Sequence, residues 1–216
     1  MASVRVAGML WNRQVVHTVY KRLRKVCLRV DCRVMQPIKQ LSQVLSNLAD
    51  AGHYLFSLQD MRAALPRMST SAWKALLRRA EKNGLLKRVC RGLYLYPAVD
   101  YPAGLVVYHA ASRLRAHDFN YLSLESVLSD AGVISQIPMN WITLMSSGRS
   151  YTFDCGNFGH IEFIHTKKSL DSLISQIHYD HRCRLWRASV AMALKDMEQT
   201  RRNTDLVDWE AAGEFV

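Results

Sequence analysis

The feature that most constrains the fold is the stretch RRAEKNGLLKRVCRGLYLYP at residues 78–97. A basic helical segment ends there at Asn83-Gly84, a pair suited to the left-handed turn that closes a helix. Two short apolar segments follow, and Arg91-Gly92 joins them, which predicts a tight β-hairpin because glycine tolerates positive φ. Helix and hairpin are therefore expected to be directly continuous. The hairpin carries three further cations, Lys87, Arg88 and Arg91.

Three helices are predicted before the hairpin. In PIKQLSQVLSNLADAG, apolar residues recur at helical spacing and Pro37 suits the first position. HYLF then indicates a short strand, after which Ser57 is expected to cap a second helix. A third, amphipathic helix lies in MSTSAWKALLRRAEKNG, where three residues can serve as its cap: Ser69, Thr70 and Ser71.

The face of the third helix opposite its apolar residues is small and basic. At 100° per residue that face holds Ser71, Lys74, Ala75, Arg78 and Lys82. The order helix, short strand, helix, turn, helix, hairpin is that of a winged helix-turn-helix, whose third helix enters the major groove while the wing contacts phosphates. The alternative without a function is that these cations only form the solvent-exposed face of the helix.

We therefore predict a surface that binds double-stranded DNA. Its helical part places side chains near base edges, and its wing places cations beside phosphates. The predicted DNA-binding residues are Ser69, Thr70, Ser71, Lys74, Arg78, Lys82, Lys87, Arg88 and Arg91.

The distribution of charge supports this prediction. Residues 1–36 hold eight Lys/Arg against one acidic residue, residues 37–97 ten against three, and residues 98–216 eleven against fourteen. A basic segment beside a mildly acidic one is typical of a nucleic-acid-binding module attached to a domain with another role.

Length and composition limit the number of domains and the class of protein that the chain can form. A chain of 216 residues, about half of them apolar, fits one large domain or two small ones. It has no run of eighteen apolar residues and no apolar stretch near its start that is long enough for a secretory signal, so we expect a soluble cytoplasmic protein. The cysteines are odd in number and include no C-x-x-C pair, which predicts free thiols. They are Cys27, Cys32, Cys90, Cys155 and Cys183.

The second half is predicted to be a mixed α and β domain. Ser123 is expected to cap a helix through Ala131, and Gly132 to end it. Three β-rich runs follow, around Ile142, Phe153 and Phe163. Apolar residues then recur at helical spacing and predict a helix with a buried face: Trp186, Val190, Ala193, Leu194 and Met197.

Several sequence segments together resemble the AbiEi family of antitoxins from bacterial type IV toxin-antitoxin systems. Residues 41–97, ending in GLLKRVCRGLYLYP, resemble the winged helix of that family. YLSLESVLSDAGVISQIP, WITLMSSGRSYTFD and FGHIEFIH are similar, in that order, to its second domain. LWRASVAMALKDM resembles a later helix, although Val190 and Ala191 follow Ser189 where relatives often place Pro and a first-turn carboxylate.

The resemblance implies an α+β protein without catalytic residues, cofactor or metal. Its winged helix would repress its own operon at repeated promoter sites, and its second domain would counter a cognate nucleotidyltransferase toxin of the AbiEii type, as in phage defence. The implied organisation is a basic extension at residues 1–36, the winged helix at 37–97 and the antitoxin domain at 98–216. Oligomeric state and direct contact with the toxin stay open.

Two other functions are weighed against the antitoxin. One is a plain winged-helix transcriptional regulator whose second domain senses a ligand. The other is a metal-dependent nuclease built on Asp154 and Glu162, whose carboxylates are suited to a divalent ion. The residues after Glu162 lack the lysine that such nucleases usually place two positions on, which disfavours this function.

Three smaller sequence features each have a structural and a functional interpretation. His178, His181 and Cys183 contain metal-ligand types, but no second Cys/His pair lies at zinc-site spacing. Gly148 and Arg149 can cradle a phosphate, but the P-loop glycine pattern is missing and a turn suffices. Residues 1–36 have three interpretations. They are a basic arm that follows DNA phosphates, or an extension upstream of a translation start at Met35, and we favour the extension. The third interpretation, a transit peptide, is disfavoured by the shortage of serine.

Overall fold

The computed structural model describes residues 36–66, 68–135 and 140–215. The chain divides into two compact units, with the boundary between Ala103 and Gly104. The extension predicted at residues 1–36, with Cys27 and Cys32, lies outside the described residues except for Gln36. Among the residues that the structure describes, no helix is sufficiently long and apolar to span a bilayer.

The first unit is a winged helix-turn-helix, as the sequence predicts. Three helices accompany a small antiparallel sheet in which β3 lies between β1 and β2. Arg91 and Gly92 form the two-residue connection of the wing, and Gly92 has φ +85°. The elements are α1 (Pro37–Leu48), β1 (Leu55–Ser57), α2 (Leu58–Ala64), α3 (Thr70–Lys82), β2 (Lys87–Cys90) and β3 (Leu93–Leu95).

Local signals set the helix boundaries of this unit. Ser57 and Asp60 form a capping box at α2, because Ser57 Oγ accepts from the Asp60 N–H (3.2 Å) and Asp60 Oδ2 accepts from the Ser57 N–H (2.8 Å). Ser69 caps α3 by accepting from the Ala72 N–H at 3.3 Å. Gly84, at φ +70°, lets the chain leave α3 sharply and begin the wing.

The apolar faces of the three helices meet in one core. Leu41 from α1, Met61 from α2 and Trp73 from α3 are each buried there. Burial of each such side chain contributes roughly 1.5–3 kcal/mol, so packing of these faces rather than helix propensity holds α3 in place.

The second unit is built on a mixed six-stranded sheet in the order β6-β7-β5-β4-β9-β8. The pairs β5/β7 and β4/β9 are parallel, and the other pairs are antiparallel. Its strands are β4 (Asn120–Leu122), β5 (Trp141–Ser146), β6 (Tyr151–Asp154), β7 (His160–His165), β8 (Ile177–Asp180) and β9 (Leu185–Ala188). Its helices are α4 (Val106–Leu114), α5 (Glu125–Asp130), α6 (Leu170–Leu173), α7 (Val190–Gln199) and α8 (Trp209–Gly213).

Two predictions in this unit were wrong. Ser123 does not cap α5; its hydroxyl is buried and donates to Asp196 Oδ2 at 2.6 Å, while Leu124, at φ +58°, precedes the helix. Trp186 belongs to β9, where it pairs with Tyr179, and α7 begins only at Val190. The remaining predicted face is correct, because α7 buries Val190, Ala193, Leu194 and Met197 as part of the core.

Candidate nucleic-acid interface

The outer face of α3 is exposed as the helical wheel predicts. Trp73, Leu76, Leu77 and Ala80 are buried on the inner side. The six predicted DNA-binding residues of this helix and its cap are all exposed: Ser69, Thr70, Ser71, Lys74, Arg78 and Lys82. Packing of the apolar side thus fixes which side chains face solvent.

The cations of α3 are not neutralised internally. Lys74, Arg78 and Lys82 form no ion pair within the part of the chain that the structure describes; the ion pairs found there lie in the second unit. Near the start of α3, the hydroxyls of Ser69 and Ser71 lie 3.2 Å apart. The N-terminus of a helix carries unsatisfied N–H groups and partial positive charge, so this end of α3 favours an anion.

The edge strand β2 of the wing is irregular. Lys87 pairs with Leu95 and Arg88 with Tyr94, but the register shifts before Cys90, so Val89 is an extra residue. Lys87 and Arg88 are exposed before this bulge, and the two residues that follow them are both buried.

The side chains of the wing differ in how they are held. Arg88 Nε donates to the Cys90 carbonyl at 3.4 Å, so this guanidinium lies along its own strand. Arg91 is exposed at the tip, and the tip is tied to α2 because the Leu58 N–H donates to the Gly92 carbonyl at 3.0 Å. The wing is therefore anchored to the helix-turn-helix.

Tyr94 lies at the base of the wing, where Glu81 of α3 and Arg88 of β2 influence its hydroxyl. Burial raises the pKa of its hydroxyl, Glu81 raises it further, and Arg88 lowers it. The hydroxyl is therefore neutral at ordinary pH and lies within electrostatic reach of a carboxylate on α3 and a cation on β2.

All nine residues predicted to bind DNA are exposed, but the sequence analysis missed the bulge at Val89. The signal was present in the letters KRVC, where two polar residues precede two apolar ones and so break the alternation of a regular strand. Arg79 is also exposed, on the flank of α3 beside Arg78, and lies outside the predicted set.

The carboxylates proposed for a nuclease have internal partners instead. Both Glu162 oxygens are engaged: Oε1 accepts from Arg202 Nη2 at 2.6 Å, and Oε2 accepts from Trp141 Nε1 at 3.3 Å. Asp154 is exposed, pairs with His160 across the strands, and accepts from the Gly156 N–H at 2.8 Å. Within the described residues no group of His, Cys, Asp and Glu is arranged to hold a metal ion.

The other candidate features of the second unit are also accounted for structurally. Cys183 is buried, and burial, with a hydrogen bond from the thiol to the Asp180 carboxylate, raises its pKa to about 11, so its thiol is protonated and a poor metal ligand. His178 and His181 are exposed on the β8–β9 hairpin. The three cysteines in the described residues, Cys90, Cys155 and Cys183, are buried thiols outside any disulfide found there.

Comparison with protein families agrees with this geometry. Residues 43–97 match a family model described as "Transcriptional regulator, AbiEi antitoxin". The matched segment begins within α1 and ends just after β3, about a quarter of the chain. No curated protein shows significant similarity to the chain. The resemblance predicted from the sequence is thereby confirmed for the winged helix, because residues 43–97 match the model of the AbiEi antitoxin family.

Proposed function

We propose that this chain is the antitoxin of a type IV toxin-antitoxin system. In this proposal the winged helix binds repeated sites in the promoter of its own operon and represses it. The second unit counteracts a cognate nucleotidyltransferase toxin of the AbiEii type. The observation that carries the proposal is the exposed cationic face of α3 and its wing, whose cations form no ion pair among the described residues. This face lies within the segment that matches the regulator family.

Lys74 and Arg78 are the proposed readers of base edges. They are long enough to reach the floor of the major groove, and the smaller Ser71 and Ala75 on the same face leave room for close approach. Ser69, Thr70 and Ser71 would meet the backbone at the positive end of the helix, with Lys82 at its far end. Lys87, Arg88 and Arg91 of the wing would contact phosphates without selecting a sequence.

A promoter gel shift with the full chain tests the DNA-binding part. The expected result is a retarded complex on the promoter at concentrations that leave unrelated DNA of equal length free. Equal affinity for both DNAs would contradict a specific operator and leave only electrostatic binding.

Co-expression with the toxin gene tests the antitoxin part. A toxin gene immediately downstream is expected, and growth after toxin induction should recover when the full chain is supplied. Operator binding without any rescue would contradict the antitoxin proposal and favour a plain regulator. Promoter binding by the winged helix and rescue by a shortened chain that starts near Val99 would support separate roles for the two halves.

A further inference from the structure

Three segments of the second unit converge at one edge of its sheet. β5 and β7 are parallel, and their carboxyl ends meet where Ser146 pairs with His165. β4 begins at the same edge, because Asn120 also pairs with Ser146. The crevice outside the carboxyl ends of parallel strands is a favoured place for ligands in α/β sheets. The β5–β6 loop, residues 147–150, lies at this edge.

The β5–β6 loop is fixed by hydrogen bonds at both ends. The Ser147 N–H donates to the Phe119 carbonyl at 2.9 Å, and the Phe119 N–H donates back to Ser147 Oγ at 3.0 Å. At the other end, the His165 N–H donates to Ser150 Oγ at 2.9 Å, and His165 Nδ1 lies 3.0 Å from the Gly148 carbonyl oxygen. A loop ordered in advance loses less conformational entropy when it binds a ligand.

Arg115 supports the loop from the protein side. Its Nη1 donates to Ser146 Oγ at 2.7 Å, its Nη2 donates to the Arg149 carbonyl, and its guanidinium lies 4.1 Å from the centre of the Phe163 ring. Burial lowers the pKa of Arg115 and Asp118 counteracts this, so the group stays charged at neutral pH.

Gly148 suits this close packing. A Cβ at this position would lie 2.6 Å from Asp118 Oδ2 and 2.9 Å from Arg115 Nη1. A larger residue here would therefore require the ends of these two side chains to shift.

The solvent side of the loop offers donors without internal acceptors. The N–H groups of Arg149 and Ser150 make no hydrogen bond within the described residues. The hydroxyls of Ser147 and Ser150 accept internal bonds but keep their own protons to donate. The Arg149 and Lys167 side chains are exposed and form no ion pair in the part of the chain that is described.

We propose that the β5–β6 loop is a phosphate-binding site. Successive main-chain N–H groups and serine hydroxyls would bind the oxygens of the phosphate, and Arg149 and Lys167 would supply the positive charge. Asp118 is an exposed carboxylate beside Gly148, and its charge opposes an anion there. The site is separate from the winged helix and does not depend on the antitoxin role.

Titration of the full chain with inorganic phosphate, followed by amide NMR shifts, tests the site. Saturable shifts are expected at Gly148, Arg149 and Ser150, and Arg149→Ala with Lys167→Ala should weaken the affinity about tenfold or more. Lys195→Ala is the matched control, because Lys195 is an exposed cation of the same unit on α7; it should change the affinity less than about twofold.

Asp118→Asn provides a test in the opposite direction. The substitution keeps the shape of the side chain and removes the like charge, so phosphate affinity should rise severalfold while the loop amides still shift. A loop that does not respond to phosphate would overturn the proposal. So would equal weakening by the Lys195 control, or no effect of the Arg149 and Lys167 substitutions.

The bound phosphate group can belong to a small ligand or to nucleic acid, and the same titration distinguishes the two. A nucleoside monophosphate and a short single-stranded oligonucleotide are compared on the full chain carrying Lys74→Ala and Arg78→Ala, which removes the proposed recognition side chains of α3. Tighter binding of the monophosphate at the loop indicates a small phosphorylated ligand, and tighter binding of the oligonucleotide indicates nucleic acid. Failure of both to shift the loop amides would overturn the site.

Discussion

The winged-helix segment and the rest of the chain after it carry almost equal numbers of cations but use them differently. Residues 37–97 contain ten Lys/Arg and residues 98–216 contain eleven. In the first unit the cations of α3 and the wing are exposed and form no ion pairs among the described residues. In the second unit three cations form ion pairs. Lys168 pairs with Asp196, Arg187 pairs with Asp130, and Arg202 pairs with both Glu125 and Glu162.

This difference shows that a cation count alone does not identify a DNA-binding surface. Residues 98–216 contain fourteen acidic residues, and several of them form ion pairs that hold cations of the second unit in place. The first unit has only three between residues 37 and 97, so its charge remains available to an external polyanion. Removing an exposed cation of α3 or the wing should therefore affect binding, whereas removing an ion-paired cation of the second unit should affect stability.

The largest effect is expected at the buried ion pair of the second unit. Asp196 is fully buried and accepts from Lys168 Nζ at 2.7 Å and from Ser123 Oγ at 2.6 Å. Asp196→Ala leaves both donors without an acceptor and should destabilise this unit by about 3–5 kcal/mol. Hydrogen exchange should show faster opening of β4 and β5, with α3 unchanged.

The paired substitution shows whether the loss comes from an unpaired charge. Asp196→Ala combined with Lys168→Met removes both charges, so part of the stability should return. Lys195→Ala, which removes an exposed cation one residue away from Asp196, serves as the control and should leave exchange unchanged. Equal protection in Asp196→Ala and the wild type would show that the ion pair does not hold this unit together.

The next effect is on operator recognition by α3. Arg78→Ala and Lys74→Ala should each cost about 1–3 kcal/mol in operator affinity and relax selectivity locally. Gel-shift titration measures both quantities. Arg79→Ala is the matched control, because Arg79 is also exposed but is rotated by about 100° from Arg78 on the helix. If the control weakens binding as much as Arg78→Ala, the side chains act only through total charge.

A smaller and more uniform effect is expected at the wing. Lys87→Ala or Arg91→Ala should weaken binding to operator and unrelated DNA alike, and the slope of log K against log salt should fall by about one per lost phosphate contact. The comparison is Arg62→Ala, an exposed cation on α2 outside the predicted surface, which should leave the slope unchanged. A change of base preference with an unchanged slope would contradict the assignment of the wing.

The smallest effect is expected at the cap of α2. Ser57→Ala removes the acceptor for the Asp60 N–H and should cost about 1 kcal/mol of stability. Thermal unfolding detects this loss, and Ser46→Ala, at an exposed position of α1, is a control without a capping role. An equal loss in both variants would show that the capping box adds nothing specific.

The first unit was largely predictable because its signals are local. Ser57, Ser69, Gly84 and Gly92 each act within a few residues, and the structure places a cap or a turn at each of them. The bulge at Val89 was missed because β2 was treated as a regular strand. The exposure of the nine predicted residues followed from the apolar face of α3 and from the hairpin.

The second unit was less predictable because long-range contacts decide it. Ser123 resembles a cap in sequence, but its partner Asp196 lies 73 residues away. Trp186 fits the helical spacing of α7, but strand pairing with Tyr179 and Tyr121 places it in β9. The parallel pairing of β5 with β7 brings the β5–β6 loop to His165, and no local pattern in the sequence indicates that pairing.

Growth after toxin induction, in cells that express the full chain with Lys74→Ala and Arg78→Ala from an unrelated promoter, tests the central claim most directly. The claim is that the exposed cations of the first unit serve DNA binding while the second unit serves antitoxicity. The double variant should lose repression of the operon and still restore growth as well as the wild-type chain does. Loss of rescue at equal protein level and unchanged stability would contradict this division of roles.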